Sequence, residues 1–479
     1  MFQKNSMFFI NRFHKIGPIN LFAGALSTLA LGLPLGSALA QIADIPGLNQ
    51  SQSSSYNVVR TACPLGINGG NEPDFQQRCT PIVGAVFSDN NSQAANAMKW
   101  GTPNQISFQG DQATKLSGGG QLAILNTAVI ARLTNLRLSL TDGVDTTTLF
   151  ARNSQSGGNS MSAGPNLLTG GAASADNPTS FSPLSGFVNA LYSFGNVNST
   201  FQQPFGFDYN IGGFIAGADY RYTDNLILGA ALSYQRSDAD FDTSASNSAG
   251  NSDSNSYSGS LYGTFYPTDN FYIEGVATYG WMNYDLKRKI HYTIAPNDLA
   301  PNGDTVNSTA KSHPDGHQYA FSLGGGYNYP WGALTLNPYG RLDYTNLYIE
   351  PYKESGGDGW ATHVSSQKTN SLRTTLGTQF SYAISTSWGV AMPQLWGEWH
   401  HEFADDKQSI GVRYLGALTT GSQEFNVYTA NPDRDYFTLG AGLSGTFAHG
   451  VSAFFSYNAL LGYKDVSGNQ FMVGGRMEF

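Results

Sequence analysis

From about Gly186 to its end, this 479-residue chain alternates apolar and polar side chains in short runs. In the closing run, Phe471, Val473, Gly475, Met477 and Phe479 fall on one side of an extended chain, and Met472, Gly474, Arg476 and Glu478 on the other. The run 435–448 sets Phe437, Leu439, Ala441, Leu443 and Phe447 against Thr438, Gly440, Gly442, Ser444 and Thr446. A period of two over about 9 to 11 residues is what a membrane-crossing strand needs, with its apolar side to lipid and its polar side to the lumen. Twelve such segments can be placed, at 186–197, 209–222, 225–236, 256–267, 270–285, 318–330, 333–348, 368–384, 388–403, 435–448, 450–463 and 469–479. The even number lets a single-chain bacterial barrel close. Tight turns at Thr223-Asp224, Thr268-Asp269, Pro330 to Gly332, Ser385 to Ser387 and His449 alternate with mostly long polar loops at 198–208, 237–255, 286–317, 349–367, 404–434 and 464–468. Short turns belong on the periplasmic side and long loops outside, which predicts both barrel ends in the periplasm.

Residues 41–185 read differently: irregular, rich in Gln, Asn, Ser and Gly, with a Pro/Gly/Ser-rich boundary from Ser156 to Ser185. After Gly118-Gly119-Gly120, the spacing of Leu122, Leu125, Val129, Leu133, Leu136 and Leu140 predicts a helix over 121–140, about 30 Å long. Asn126, Arg132, Asn135 and Arg137 keep it out of lipid, so it either occupies the lumen or packs within a small N-terminal domain. The only cysteines, Cys63 and Cys79, predict a disulfide in an oxidising compartment; a metal pair would lack further thiols or nearby histidines. Residues 51–117 are too few and too polar to bury much of a core. The first 40 residues read as a secretory signal, with Lys4, Arg12 and Lys15, an apolar stretch from Leu21 to Leu35, and Ala38-Leu39-Ala40 before Gln41.

Charged residues are only 12% of the chain, against about 25% in soluble domains, while Gly contributes 56 residues and aromatics 13%. That balance suits a lipid-facing barrel with an uncharged Ser/Thr/Asn lining. No stretch after the signal approaches the 18 or so apolar residues of a spanning helix, which leaves a closed sheet as the spanning solution. The net charge of −9 becomes more negative once the three cations of the signal are removed. No basic patch suits a phosphate backbone, and nucleic acid is not expected as a partner.

The run Phe207-Asp208-Tyr209-Asn210-Ile211-Gly212-Gly213-Phe214-Ile215-Ala216-Gly217-Ala218-Asp219-Tyr220-Arg221, followed by Asp224-Asn225-Leu226 and Leu228-Gly229, resembles the opening of the autotransporter β-domain, the translocator of type V secretion. Trp396-Gly397-Glu398-Trp399-His400-His401-Glu402-Phe403, Pro432 to Asp435, Gly440 to Leu443 and Gly474 to Phe479 extend the resemblance over about 186–479. It implies an all-β fold: a twelve-stranded antiparallel transmembrane β-barrel with a small N-terminal passenger containing a helix. The implied division is a signal peptide at 1–40, a passenger with the Cys pair at 41–118, the helix at 119–140, a linker at 141–185 and the barrel at 186–479. The implied function is to anchor and display the passenger at the cell surface. Implied partners are outer-membrane lipid and lipopolysaccharide, periplasmic chaperones and the barrel assembly machinery, which reads the terminal strand through Phe471, Val473, Met477 and Phe479. Two alternatives are a porin-like channel plugged by the N-terminal region and a surface adhesin.

No catalytic or cofactor site is expected. The chain has no Gly-x-Ser-x-Gly elbow, P-loop or Gly-Asp-Ser block. Gly440 to Gly445 formally fits a dinucleotide fingerprint, but no helix follows it. His400-His401-Glu402 lacks the second His of a zincin and is placed at the external rim of a strand. His313 and His317 are read as solvated in an external loop rather than as metal ligands, and Asp405-Asp406 as solvated charge.

Overall fold

The computed structural model describes residues 43–65, 70–106, 184–242, 248–418, 424–431, 433–447 and 450–478. The predicted signal, the predicted helix 121–140, residues 141–183 of the predicted linker, and Phe479 lie outside the described residues.

Twelve long strands form the barrel: β1 (Leu184–Val197), β2 (Gly206–Thr223), β3 (Leu226–Asp242), β4 (Gly250–Phe265), β5 (Phe271–Ile294), β6 (Asp315–Tyr327), β7 (Leu334–Ile349), β8 (Gln367–Tyr382), β9 (Gly389–Glu402), β10 (Asp435–Phe447), β11 (Val451–Leu461) and β12 (Val466–Glu478). Each pairs antiparallel with its successor, and β12 returns to β1 in a register running from Ser185↔Glu478 to Val197↔Val466. Closure is required because hydrocarbon offers no partner to an unpaired strand edge.

Every predicted strand is present. The departures lie beyond the membrane, where the predicted polar loops contain further strands. β5 runs on to Ile294 and pairs with Asp304–Ser312, so the loop predicted over 286–317 is in large part a β-hairpin. Segments Tyr352–Lys353, Thr362–Val364, Ser409–Tyr414 and Glu424–Tyr428 form a separate four-stranded sheet above the long-loop end.

The two-residue period partitions the barrel wall as predicted. Val188, Leu232, Leu261, Phe321, Leu395 and Leu439 stand exposed on the outer face. Ser233, Ser256, Ser260, Gln318, Thr345 and Gln379 are buried on the inner face. The high Gly content has a local cause at three directly opposed pairs, Tyr262↔Gly229, Tyr339↔Gly377 and Trp396↔Gly440. A Cβ at Gly229, Gly377 or Gly440 would lie 2.3, 2.4 or 2.1 Å from the partner ring. A ring lies over each glycine, which fills the wall without widening it.

Residues 41–118, predicted to be irregular, contain three helices: α1 (Gln50–Ala62), α2 (Pro73–Phe87) and α3 (Asn91–Gly101). Asn49 and Gln52 cap α1 reciprocally, each side chain accepting from the other's backbone N–H at 2.8 and 3.0 Å. Pro73 opens α2 at its first position, where a missing N–H costs nothing, and Asp74 complements the helix dipole.

The outer face of β3 supplies a test of membrane embedding. Leu232 is 74% exposed and lies near mid-strand. Leu232→Arg is expected to destabilise the barrel by about 2–4 kcal/mol in lipid vesicles, as a cation near the bilayer midplane does. Urea titration in vesicles, followed by tryptophan fluorescence, checks this.

Candidate functional site: the helical cap and the lumen wall

The three helices sit on the long-loop end of the barrel. Asn49, besides capping α1, donates its side-chain N–H to the carbonyls of Phe201 and Gln202 in the β1–β2 loop at 3.0 and 3.2 Å. Along α1, the Ser51 and Ser54 hydroxyls accept the backbone N–H groups of Tyr428 and Asn426 at 2.9 and 3.0 Å. These donors belong to the edge strand of the small sheet, which would otherwise present unpaired N–H groups. The serines of α1 therefore serve as the pairing partner of a sheet edge, while Tyr56, Val59 and Ala62 are buried as its apolar positions.

The core beneath the helices is shared with the loops. Trp360 is fully buried, with Phe75 of α2, Tyr292 and Tyr414 around it at ring-centroid distances of 6.2, 6.3 and 5.2 Å. Its indole N–H donates to the Tyr292 hydroxyl at 3.0 Å. It is aimed inward by a left-handed turn: Gly356, Gly357, Asp358 and Gly359 have φ of +77°, +77°, +50° and +90°. A side chain at Gly359 would also strike the Asp74 carbonyl oxygen, 2.5 Å from its Cβ. A buried ion pair fastens this turn, with Arg288 donating to both Glu354 oxygens at 2.9 and 2.6 Å and to the Trp360 carbonyl at 2.8 Å. Arg78 of α2 bridges Asp304 of the hairpin and Asp358 of the turn. Burial works against the Arg78 charge, but the two carboxylates outweigh it and hold its pKa above the ordinary value. Cys63 and Cys79 are joined in a disulfide that ties the end of α1 to α2. The segment predicted to be too small for its own core obtains the missing part from the loops.

The lumen wall from β6 to β10 is charged, contrary to the uncharged lining predicted. Asp343 accepts from Ser322 at 2.6 Å, from Arg341 at 3.0 Å and from Arg373 at 3.1 Å. Arg373 also donates to the Tyr436 hydroxyl at 3.1 Å, and Glu398 accepts from Tyr339 at 2.8 Å. The prediction holds on β3 and β4, whose buried inner positions include Ser237, Ser252, Ser254 and Ser258. The inner charges were missed because Arg341 and Asp343 of β7 lie well apart in sequence from Arg373 of β8 and Glu398 of β9, and only strand pairing brings them together.

The sequence-predicted candidates are scattered. Phe471, Val473 and Met477 stand exposed on the outer face of β12. His400 and Glu402, placed on the external rim by sequence, point inward and are buried: His400 contacts Thr375, Thr438 and Glu398, and Glu402 accepts from Ser371 at 2.6 Å. His401 faces outward beside Asp435 at 2.9 Å. His313 occupies a turn 3.7 Å from Asp285, whereas His317 is not in a loop but on β6, paired with Tyr348. Asp405, read as free solvated charge, pairs with exposed Arg434 at 2.6 Å. Gly440 to Gly445 lie within β10, as a strand reading requires. Trp360, Arg288, Glu354 and Arg78 were not singled out from sequence; the one available signal was the run Gly356-Gly357-Asp358-Gly359 ahead of a tryptophan.

A family model described as "Autotransporter beta-domain" matches residues 186–458. The chain belongs to the autotransporter β-domain family. As an autotransporter it resides in the bacterial outer membrane, and its barrel is a translocator domain that is not itself catalytic. "Lipase 1" of Photorhabdus luminescens is 28% identical over 207 residues, 40% of this chain and 27% of that protein. "Esterase EstA" of Pseudomonas aeruginosa is 28% identical over 181 residues, 36% of this chain and 25% of that protein. The autotransporter thus spans about a quarter of the length of these curated relatives. Among solved structures, the translocator domain of autotransporter NalP from Neisseria meningitidis aligns with a TM-score of 0.48 and 16% identity, covering 64% of this chain and 92% of that one.

Trp360→Ala is expected to remove about 3–5 kcal/mol from the cap. Hydrogen exchange should accelerate across α1 to α3 while the barrel strands keep their protection; unchanged protection of the helices would contradict the shared core. A pH effect follows from the buried phenols. Burial pushes Tyr56 up to about 12 and raises Tyr352 and Tyr414 as well. The unfolded chain ionises them near 10, so their contribution is intact below about pH 10 and is lost as pH rises towards the folded values. Near-ultraviolet dichroism should show the cap loosening in that range before barrel β-structure is lost.

Proposed function

We propose that this autotransporter displays its own N-terminal helices as a short, non-catalytic passenger held on the external face of its barrel. The observation that carries this reading is the opposite placement of two points in the chain. Gln105 is seated at the long-loop end, where its side chain donates to the Ala249 carbonyl at 3.2 Å, whereas Leu184 begins β1 at the short-turn end. These two described points therefore lie at opposite ends of the barrel. The shared core around Trp360 supports a passenger retained after transit. Phe471, Val473 and Met477 on the outer face of β12 are suited to presenting the terminal strand to the barrel assembly machinery, with periplasmic chaperones acting before insertion. The lipase and esterase activities named in the relatives are not assigned to this chain.

An epitope inserted at Gly47, in the exposed turn before α1, tests display. A second epitope at Asn302 in the β5 hairpin turn marks the long-loop end. Antibody should label both sites on intact cells. Labelling of Asn302 alone, with Gly47 reached only after permeabilisation, would refute the reading.

A further inference from the structure

We propose that the inner face of β4, with the inner residues of β3 beside it, is the track along which an extended polypeptide crosses the lumen. Serine occupies five successive inward positions of β4: Ser252, Ser254, Ser256, Ser258 and Ser260. All five are buried. The run is about 27 Å long along the strand and about 20 Å in height after barrel tilt, roughly two-thirds of the hydrocarbon thickness.

Two of the five engage neighbouring strands, Ser258 with Ser233 and Ser260 with Thr278. The Ser252 and Ser256 hydroxyls have no hydrogen-bond partner among the described residues. On β3, Gln235 stands directly opposite Ser256, and Ser237 opposite Ser254. Both are fully buried, and the Ser237 hydroxyl and both ends of the Gln235 amide also lack a partner among the described residues. Buried polar groups are normally paired, so their concentration on one wall marks a place where a partner belongs.

Spacing and chemistry define that partner. Serines at every second residue recur about every 7 Å, the interval at which an extended chain presents its backbone groups on one side. A hydroxyl both donates and accepts, so it meets N–H and C=O alike. Neither β3 nor β4 places a charge on its inner face that would select a particular side chain. A chain advanced by two residues finds the same contacts again, so the ladder favours no single register and does not arrest movement. β7 to β9 differ, because Arg341, Asp343, Arg373 and Glu398 engage one another and a passing chain would have to break those contacts.

The track deepens the display reading above and rests on it. In cells, pulse-labelled protein is followed by timed surface labelling of the Gly47 epitope, with the Asn302 epitope reporting assembled barrel. The combined variant Gln235→Leu, Ser237→Ala, Ser252→Ala, Ser256→Ala is expected to delay Gly47 relative to Asn302 about fivefold or more. Threonine at the three serine positions, with Gln235 kept, retains each hydroxyl and is expected to give the wild-type rate. Gln379→Leu with Gln394→Leu removes a hydrogen-bonded amide pair from β8 and β9 and is expected to leave the rate unchanged. Equal slowing by the two sets overturns the proposal, as does no slowing by the first, which would mean that the hydroxyls only hold water. A Gly47 epitope that never reaches the surface in wild type removes the display reading and the track with it, whereas equal rates in all variants remove the track alone. A second measurement leaves the lumen unaltered: a photoreactive residue in place of exposed Thr61 is activated during the chase. It should join to peptides of β3 and β4. Joining to β7–β9 in equal yield, or to neither wall, overturns the proposal.

Discussion

In a hydrocarbon layer no backbone N–H or C=O can be left without a partner, and the pairing of β12 with β1 is what meets that condition here. With the cylinder closed, every strand has two neighbours, and its side chains are left to satisfy lipid on one face and lumen on the other. The alternation of Leu439, Ala441 and Leu443 with Gly440, Gly442 and Ser444 follows directly. So does the use of glycine beneath Tyr262, Tyr339 and Trp396, since a closed wall of fixed circumference cannot spread to admit both a ring and a Cβ.

Above the membrane the same condition returns in another form. The small sheet ends in the edge strand Glu424–Tyr428, and α1 supplies its missing acceptors with serine hydroxyls. Helix and sheet are thereby interdependent: the helix has too few apolar residues to fold on a core of its own, and the sheet would leave backbone donors unpaired. Trp360 and the Arg288–Glu354 pair fill the space between them. A buried ion pair is costly to desolvate and gains little net stability over apolar packing, but breaking one partner leaves a stranded charge. It therefore fixes how the turn at Gly356 to Gly359 meets the helices more than how strongly.

The lumen shows a division of labour between two walls. β3 and β4 line it with hydroxyls and amides, whereas β7 to β9 place Arg341, Asp343, Arg373, Glu398 and His400 in one connected set. Each charge in that set has an opposite charge or a hydroxyl within reach, so the wall is polar without carrying an isolated ion.

The sequence by itself determined the number of strands, their order, their faces and the turns between them. A period of two is a local property, and a strand that must put apolar atoms into lipid cannot hide it. The Cys63 and Cys79 pairing was legible for a similar reason, there being no other cysteine to choose. The cap was not legible. The buried face of α1 is Ser51, Gln52 and Ser55 as well as Tyr56, Val58, Val59 and Ala62, because part of it meets a strand edge, and the polar half dilutes the hydrophobic period that would mark the helix. The lumenal charge network is also set by tertiary structure. Arg341 and Asp343 are neighbours on β7, but Arg373 and Glu398 come from other strands, and only the register of neighbouring strands, which no local pattern encodes, decides that they meet.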